Sequence, residues 1–271
     1  MPAKLGIVAG GGPLPGLLAE SCRAQGRDYH VLALRGHADP AVVDAHPVDW
    51  IRLGEAGTGF DLLRRAGVAE VVMIGPVRRP SLSELAPDLR TARFFARVGL
   101  KALGDDGLLR AVAEELEGEG FRVVGIDSVL DDCLAPAGLY GRLEPDATAQ
   151  ADITRAVEVA RALGAVDVGQ AVVVQQGLVL GVEAIEGTDA LLGRVGPLAR
   201  AGLGGVLVKL RKPGQDRRVD LPTVGTRTVE GAAAAGLRGI AVEAGAALVL
   251  GRAAVAAEAD RRGLFVLGLI P

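Results

Sequence analysis

Alternating β-like and helix-like segments at the start of the chain are the feature that most restricts its fold. The chain opens with LGIVAGGG, PLPGLLAESCRAQG and YHVLALRG, which predict a strand, a glycine-rich turn, a helix and a second strand. WIRL, a helix over residues 55–66 and EVVMIG continue the alternation. This order is typical of a parallel sheet covered by helices. We therefore predict a Rossmann-like N-terminal domain with a parallel sheet over residues 1–133.

The second half of the chain has a different pattern. Periodicity stops after FRVVGID, and two prolines follow, so a linker is predicted over residues 134–145. Further on, GQAVVVQQGLVLGVEA contains two β-rich runs around Gly177, which predict an antiparallel hairpin. Thr188 or Asp189 is then placed to cap the next helix. These segments predict a distinct mixed α/β C-terminal domain over residues 146–271, so the fold class is α/β.

Composition excludes several classes of protein. A hydrophobic content of 49% and a charged content of 23% are those of a folded soluble protein. The net charge of -3 gives no reason to expect a nucleic-acid partner. Cys22 and Cys133 lack the spacing of a metal site and are expected to be small buried side chains. We expect a cytoplasmic protein, because neither a signal peptide nor a membrane span of about 18 apolar residues is evident.

Common catalytic and cofactor motifs are also missing. The chain has no GK[ST] phosphate-binding loop and no G-x-S-x-G nucleophile elbow, and its three histidines all lie in the first fifty residues. An NAD site is not expected, because Pro15 stands at the third glycine position of the dinucleotide fingerprint and Arg35 replaces the usual acidic residue. An enzyme of this sequence would have to work with carboxylates, arginines and lysines.

The glycine-rich turn after the first strand has two interpretations. Gly10, Gly11, Gly12 and Gly16 could let a phosphate approach the backbone at the start of a helix. They could equally serve a tight turn that needs small residues and binds no ligand.

Two further segments of the first half carry charges that could bind a ligand. Arg78 and Arg79 follow EVVMIG at the carboxyl end of a parallel strand, where they form an anion site or remain two solvated arginines. Asp105 and Asp106 are metal or sugar-hydroxyl ligands or, the favoured interpretation in isolation, helix N-caps. Neither pair decides a function alone.

A charged stretch from Lys209 to Thr228 is the strongest candidate site. It follows the β-like run GGVLVKL and therefore lies at the end of a strand, where ligands usually bind. Asp216 and Asp220 would suffice as Mg²⁺ ligands, or as one ligand and one base, in phosphoryl chemistry. A solvated charged hairpin is the alternative. The remaining polar side chains suit a diphosphate, a sugar or an attacking water: Lys209, Lys212, Arg218, Gln215 and Thr223.

Five segments together resemble a known enzyme family. They are GIVAGGGPLP, GPVRRP, GDDGLLR, DVGQAVVVQQGLVLGVEAIEGTD and KPGQDRRVDLPTVGTRTV, and they span nearly the whole chain. The sequence resembles the LpxI-type UDP-2,3-diacylglucosamine pyrophosphatases. This resemblance implies a Mg²⁺-dependent hydrolase that cuts the diphosphate of its lipid-linked substrate into UMP and 2,3-diacylglucosamine 1-phosphate (lipid X).

The resemblance also implies a biological setting. It places the protein in lipid A biosynthesis, in the cytoplasm or at the cytoplasmic face of the inner membrane. It further implies that the lipid lies between the two domains and that a homodimer forms through the C-terminal halves. A non-catalytic nucleotide-sugar or lipid-binding protein is the alternative function.

Site residues follow from the matching motifs. Asp220 and Asp216 become the leading catalytic and metal-binding carboxylates. Arg79 departs from the family pattern, which often has Lys there, and a planar guanidinium is not equivalent to an ammonium. The implied substrate-binding set is Gly11, Gly12, Pro13, Leu14, Arg79, Asp105, Asp106, Gln170, Glu186, Thr188, Asp189, Lys209, Lys212, Gln215, Arg218, Thr223, Gly225 and Thr228.

Overall fold

A computed structural model describes residues 2–78, 86–99, 105–130 and 132–271, except for the side chain of Asp105. The chain divides into two compact units. Unit 1 contains Met1–Asp131 together with the short segment Asp216–Asp220. Unit 2 contains Asp132–Gln215 and Leu221–Pro271.

Unit 1 is built on a parallel sheet in the order β3-β2-β1-β4-β5. Its strands are β1 Leu5–Ala9, β2 Tyr29–Leu34, β3 Val48–Ile51, β4 Glu70–Ile74 and β5 Arg122–Val123. Its helices in the described residues are α1 Leu14–Ala24, α2 Pro40–Val43, α3 Ala56–Arg65, α4 Leu89–Val98 and α5 Asp105–Gly118. The predicted parallel sheet is confirmed, and its strands are rich in buried apolar residues because helices cover such sheets.

Unit 2 contains a mixed sheet of six strands in the order β6-β13-β11-β9-β7-β8, and a small parallel pair, β10 and β12. The strands are β6 Gly138–Leu139, β7 Ala171–Gln175, β8 Leu178–Val182, β9 Val206–Lys209, β10 Thr223–Val224, β11 Gly239–Glu243, β12 Leu248–Val249 and β13 Phe265–Leu269. The helices are α6 Ala147–Ala165, α7 Gly187–Val195, α8 Thr226–Ala234 and α9 Arg252–Arg262. The mixed α/β prediction for the second half is confirmed.

The six-stranded sheet has an apolar core on each face. Val206 and Val208 pack with α6 residues such as Ile153, whereas Leu207 packs in the cluster that contains Leu191 of α7. Successive strand side chains point to opposite faces, so one apolar run can serve both cores. This explains why the central strands β9 and β11 are apolar except at their last residues, rather than alternating with polar residues.

The hairpin and the start of α7 were both predicted from local sequence. The hairpin around Gly177 is confirmed, because β7 and β8 pair antiparallel. The capping prediction for Thr188 or Asp189 is wrong, because Glu186 occupies the N-cap position of α7 and makes no side-chain cap bond. Both residues lie inside the helix and bond to other side chains. Within the predicted linker, β6 pairs with β13.

A buried carboxylate holds the hairpin turn. Asp152 of α6 is 1% exposed and accepts backbone hydrogen bonds from Gln176 and Gly177, at 3.1 Å and 2.7 Å. We expect Asp152→Ala to lower the free energy of unfolding by about 2 kcal/mol, because it leaves two amide donors without their charged acceptor. Urea unfolding followed by circular dichroism measures this loss. Glu158→Ala, on the exposed side of the same helix, should change stability little.

No helix in the described part of the chain combines the length and the apolar character that crossing a bilayer requires.

Candidate functional site

The carboxyl end of β9 brings several polar segments of unit 2 together. β9 runs antiparallel to β7 with Lys209 opposite Ala171, and the Leu210 N–H donates to the Gln170 carbonyl at 3.0 Å. Because β8 returns antiparallel to β7, its carboxyl end reaches the same edge of the sheet. The residues that follow β8 and β9 therefore lie at the same edge of the sheet as the residues that precede β7. We call this edge the rim.

Two almost buried lysines lie at this rim. Lys209 is 5% exposed, and its Nζ donates to the Thr223 carbonyl oxygen at 2.9 Å. Lys212 is 8% exposed, and its Nζ lies 2.6 Å from Oδ1 of Asp167. The Oε1 atom of Gln215 accepts from the Lys212 backbone N–H at 2.9 Å, which fixes the turn after β9. The structure thus gathers these predicted residues, and it adds Asp167, which sequence analysis missed.

A buried carboxylate directly after β8 is hydrogen-bonded to two other predicted residues. Glu183 is 6% exposed and accepts from the Thr188 hydroxyl at 2.6 Å and from the Gln170 backbone N–H at 3.2 Å. Sequence analysis missed Glu183. The available signal was a charged residue interrupting the apolar run VLGVEAI directly after a predicted strand.

The start of α8 uses two predicted residues to complete its own backbone. The Gly225 N–H donates to the Thr228 hydroxyl oxygen at 3.4 Å, which is one half of a capping box at the helix N-terminus. The Thr223 hydroxyl likewise donates to the Leu221 carbonyl at 3.1 Å. In this structure Thr223, Gly225 and Thr228 therefore shape the loop that leads into α8.

The two carboxylates of the EGTD motif are paired with arginines. Glu186 binds Arg194 at 2.6 Å, and this hydrogen bond holds the pKa of the Glu186 carboxyl below its ordinary value. Asp189 binds Arg227 at 2.8 Å on the exposed surface. Thr188, between them in sequence, instead bonds to the buried Glu183.

Five residues of the charged stretch belong to unit 1. Val219 packs against the apolar cluster that contains Phe60 and Phe121, and Nη1 of Arg218 lies 2.5 Å from Oε1 of Glu117 on α5. Gly125, just after β5, lies against this segment, because a Cβ placed on it would be in ordinary van der Waals contact with the Arg218 Cα, at 3.5 Å. Asp216–Asp220 is therefore anchored beside the carboxyl end of β5 in unit 1, whereas the lysine-bearing residues before it belong to unit 2.

Within this segment Asp216 and Arg218 form a forked ion pair. Nη2 of Arg218 lies 2.7 Å from Oδ2 of Asp216, and Nε lies 3.1 Å from Oδ1. This hydrogen bonding to Arg218 holds the pKa of the Asp216 carboxyl below its ordinary value, and Asp216 in turn raises the pKa of Arg218. Asp216 is therefore a carboxylate at neutral pH, with its charge balanced by the guanidinium.

The two aspartates fit a magnesium ion that draws most of its ligands from a substrate. The Asp220 N–H donates to the Asp216 carbonyl at 3.2 Å, so one turn carries both residues. No group of three or more His, Cys, Asp or Glu side chains that could hold a metal occurs in the described ranges. Mg²⁺ needs only one or two carboxylates beside phosphate oxygens and waters. Asp216 would have to weaken its bonds to Arg218 in order to bind such an ion.

The glycine-rich turn of unit 1 is hydrogen-bonded to the end of β4 and to the residues that follow it. The Gly10 N–H donates to the Ile74 carbonyl and the Gly11 N–H to the Pro76 carbonyl, both at 2.8 Å. A Cβ on Gly10 would lie 2.5 Å from the Gly75 oxygen, so the backbones are too close for a side chain. These two amides are thus occupied, which favours the tight-turn interpretation for Gly10 and Gly11. Gly12 and Pro13 are exposed, and Leu14 is buried at the start of α1.

Arg78 and Asp106 are the other predicted positions of unit 1 whose surroundings the structure describes. The Arg78 N–H donates to Nδ1 of His37 at 3.3 Å, after β4 and β2 respectively. Arg79 lies outside the described residues, as does the Asp105 side chain. Asp106 lies inside α5, so the N-cap interpretation is wrong for it. A negatively charged side chain in the first turn of a helix is stabilised by the helix dipole.

Comparison with known proteins covers nearly the whole chain. A family model described as the LpxI N-terminal domain matches residues 4–133, and one described as the LpxI C-terminal domain matches residues 136–267. A relative from Caulobacter vibrioides (strain ATCC 19089 / CIP 103742 / CB 15), named UDP-2,3-diacylglucosamine pyrophosphatase LpxI, is 47% identical over 275 residues. The alignment covers 99% of this chain and 98% of that relative.

Proposed function

This chain belongs to the LpxI family, and we propose on that premise that it hydrolyses the diphosphate of UDP-2,3-diacylglucosamine. Water adds to one phosphorus, the P–O–P bond breaks, and UMP and 2,3-diacylglucosamine 1-phosphate leave. The observation that carries the proposal is the pair of nearly buried lysines at the carboxyl end of β9, in a chain 47% identical to a relative named for this reaction.

Lys209 and Lys212 supply the positive charge that a diphosphate requires. Each ammonium is fixed by an oxygen partner, Thr223 or Asp167, and is largely removed from bulk water. Fixed donors in a site that excludes water stabilise charge developing in a transition state more than mobile surface lysines do. We propose that the two ammonium groups bind the oxygens of the diphosphate.

Asp220 is the proposed ligand of Mg²⁺ or the base that orients the attacking water. Bound Mg²⁺ would neutralise phosphate charge and polarise the phosphorus–oxygen bonds. The charge of Asp216 is balanced by Arg218, and the bond from Arg218 to Glu117 keeps the turn anchored to unit 1. Either role explains why two carboxylates occur beside an otherwise basic stretch.

The biological setting remains part of the proposal. A role in lipid A biosynthesis, a cytoplasmic or inner-membrane-peripheral location, a homodimer through the C-terminal halves and a lipid between the domains stay predictions of the family resemblance. The substrate proposed here, a lipid-linked UDP-sugar, is consistent with them.

Metal removal tests the reaction directly. Purified protein with UDP-2,3-diacylglucosamine and Mg²⁺ should release UMP, and chelation by EDTA should lower the rate at least about 10²-fold, because the diphosphate charge then lacks its divalent partner. Excess Mg²⁺ should restore the rate. Substrate binding without any UMP release would favour the non-catalytic binding protein instead. Undiminished release in EDTA would remove Mg²⁺ from the proposal.

A further inference from the structure

Arg211 is a half-buried arginine at the rim that neither the sequence motifs nor the family resemblance singled out. It lies in unit 2, two residues beyond the end of β9 and between Lys209 and Lys212. Its Nε atom is buried and has no hydrogen-bond partner among the described residues, and no described carboxylate forms an ion pair with its guanidinium. Native proteins pair nearly all buried polar atoms and buried charges. The position of Arg211 therefore indicates an anion that arrives with a ligand.

The one side-chain hydrogen bond of Arg211 involves only one end of its guanidinium. Nη1 donates to the Gln215 carbonyl oxygen at 3.4 Å. Nε and Nη2 lie on another edge, and neither has a hydrogen-bond partner in the described ranges. Such an edge presents two parallel donors, which match two oxygens of a carboxylate or a phosphoryl group. Arg218 uses the same edge for Asp216, with Nε and Nη2 bound to the two carboxylate oxygens.

The backbone of Arg211 is fixed by the neighbouring strand. β11 pairs parallel with β9, with Val242 opposite Lys209, and Glu243 is the last residue of β11. The Arg211 N–H donates to Oε2 of Glu243 at 3.0 Å. Glu243 thus binds the backbone donor and not the guanidinium. A residue held in this way loses less conformational entropy when it binds a ligand than a mobile surface arginine does.

We propose that Arg211 is a further substrate-binding residue, whose Nε–Nη2 edge binds a phosphoryl group of the diphosphate. This inference rests on the proposed function and deepens it. The ammonium groups of Lys209 and Lys212 are each bound to an oxygen of the protein, whereas Arg211 offers two donors to a ligand. A forked pair of donors suits a phosphoryl group, which presents two oxygens with negative charge, better than it suits a single sugar hydroxyl.

Binding of inorganic pyrophosphate in metal-free buffer, measured by isothermal titration calorimetry, tests this assignment without turnover. Arg211→Met keeps an apolar stem and removes the donors, so we expect the Kd for pyrophosphate to rise about tenfold. Arg211→Lys should recover only part of that loss, because an ammonium has the charge but not the fork. Arg155→Met removes an exposed, ion-paired arginine of α6 and is the matched control, with an unchanged Kd.

Two further measurements separate ligand binding from a structural role of Arg211. The Tm of the ligand-free Arg211→Met variant should equal or exceed that of the unaltered protein, because a half-buried charge without an ion-pair partner has been removed. With UDP-2,3-diacylglucosamine as substrate, kcat/KM should fall at least about tenfold in the same variant.

Separate outcomes would overturn this inference and the proposed function. No binding of pyrophosphate by the unaltered protein, or an equal Kd in Arg211→Met, would overturn the role of Arg211. A Tm lowered by several degrees in Arg211→Met would overturn it as well, because the arginine would then support the fold. Pyrophosphate binding that depends on Arg211, together with no UMP release by the unaltered protein, would contradict the proposed hydrolysis and support the anion site.

Discussion

Replacing Asp220 by alanine is expected to lower kcat for UMP release at least about 10³-fold, because the proposed site then loses its metal ligand or its base. The backbone bond from the Asp220 N–H to the Asp216 carbonyl does not involve the side chain, so the turn should persist. The measurement is steady-state hydrolysis of UDP-2,3-diacylglucosamine, with the unfolding temperature recorded for each variant.

Two further variants sharpen this result. Asp216→Ala and the double variant should show whether the pair acts as a unit, since members of a catalytic unit lose activity non-additively. Asp61→Ala, at an exposed ion pair on α3, should retain normal turnover and controls for the general loss of a carboxylate. Near-normal turnover of Asp220→Ala would remove this residue from the mechanism.

Replacing Glu70 by alanine is expected to lower the free energy of unfolding by about 3 kcal/mol, which makes it the largest stability effect we predict. Glu70 and Arg27 are almost fully buried at the start of β4 and before β2, and they form an ion pair. Arg122 binds the other oxygen of the same carboxylate. Removing Glu70 leaves the Arg27 guanidinium buried with its charge uncompensated. Fluorescence of Trp50, the one tryptophan of the sequence, reports the unfolding of unit 1 in urea.

The control for this prediction separates burial from ion pairing. Arg52 and Glu55 pair on the surface of the same unit, and Glu55→Ala should change the unfolding midpoint little, because water replaces an exposed partner. Combining Arg27→Met with Glu70→Leu should recover much of the loss, since an apolar pair can replace a buried ion pair. A Glu70→Ala midpoint equal to that of the unaltered protein would contradict a structural role for the buried pair.

Local sequence patterns predicted the secondary structure of unit 2 well. The β-rich runs around Gly177 form the predicted antiparallel hairpin. Such patterns depend on neighbours in sequence: β-branched residues, a turn glycine, and polar residues that end a helix. The capping prediction at Thr188 failed because α7 already begins at Gly187, so Thr188 lies inside the helix and its hydroxyl donates to the buried Glu183.

The candidate site depended much more on residues distant in sequence. Lys212 and Asp167 are 45 residues apart, and Arg218 and Glu117 are 101 residues apart, yet each pair is joined by an ion pair. No spacing rule connects such residues. The sequence predicted that the charged stretch forms one loop. In the structure its residues Asp216–Asp220 belong to unit 1, and the lysines before them belong to unit 2.

The sequence by itself determined the α/β class, the parallel sheet of the first half, the hairpin of the second and the family, because periodicity and long motifs are local properties of the chain. Only the tertiary structure decided that the Gly10 and Gly11 amides are occupied, that Glu183 sits between Gln170 and Thr188, and that Arg218 neutralises Asp216. The physical reason is that these hydrogen bonds and this burial join residues that are distant in sequence. Which of them come into contact depends on the order and pairing of the strands in the whole sheet.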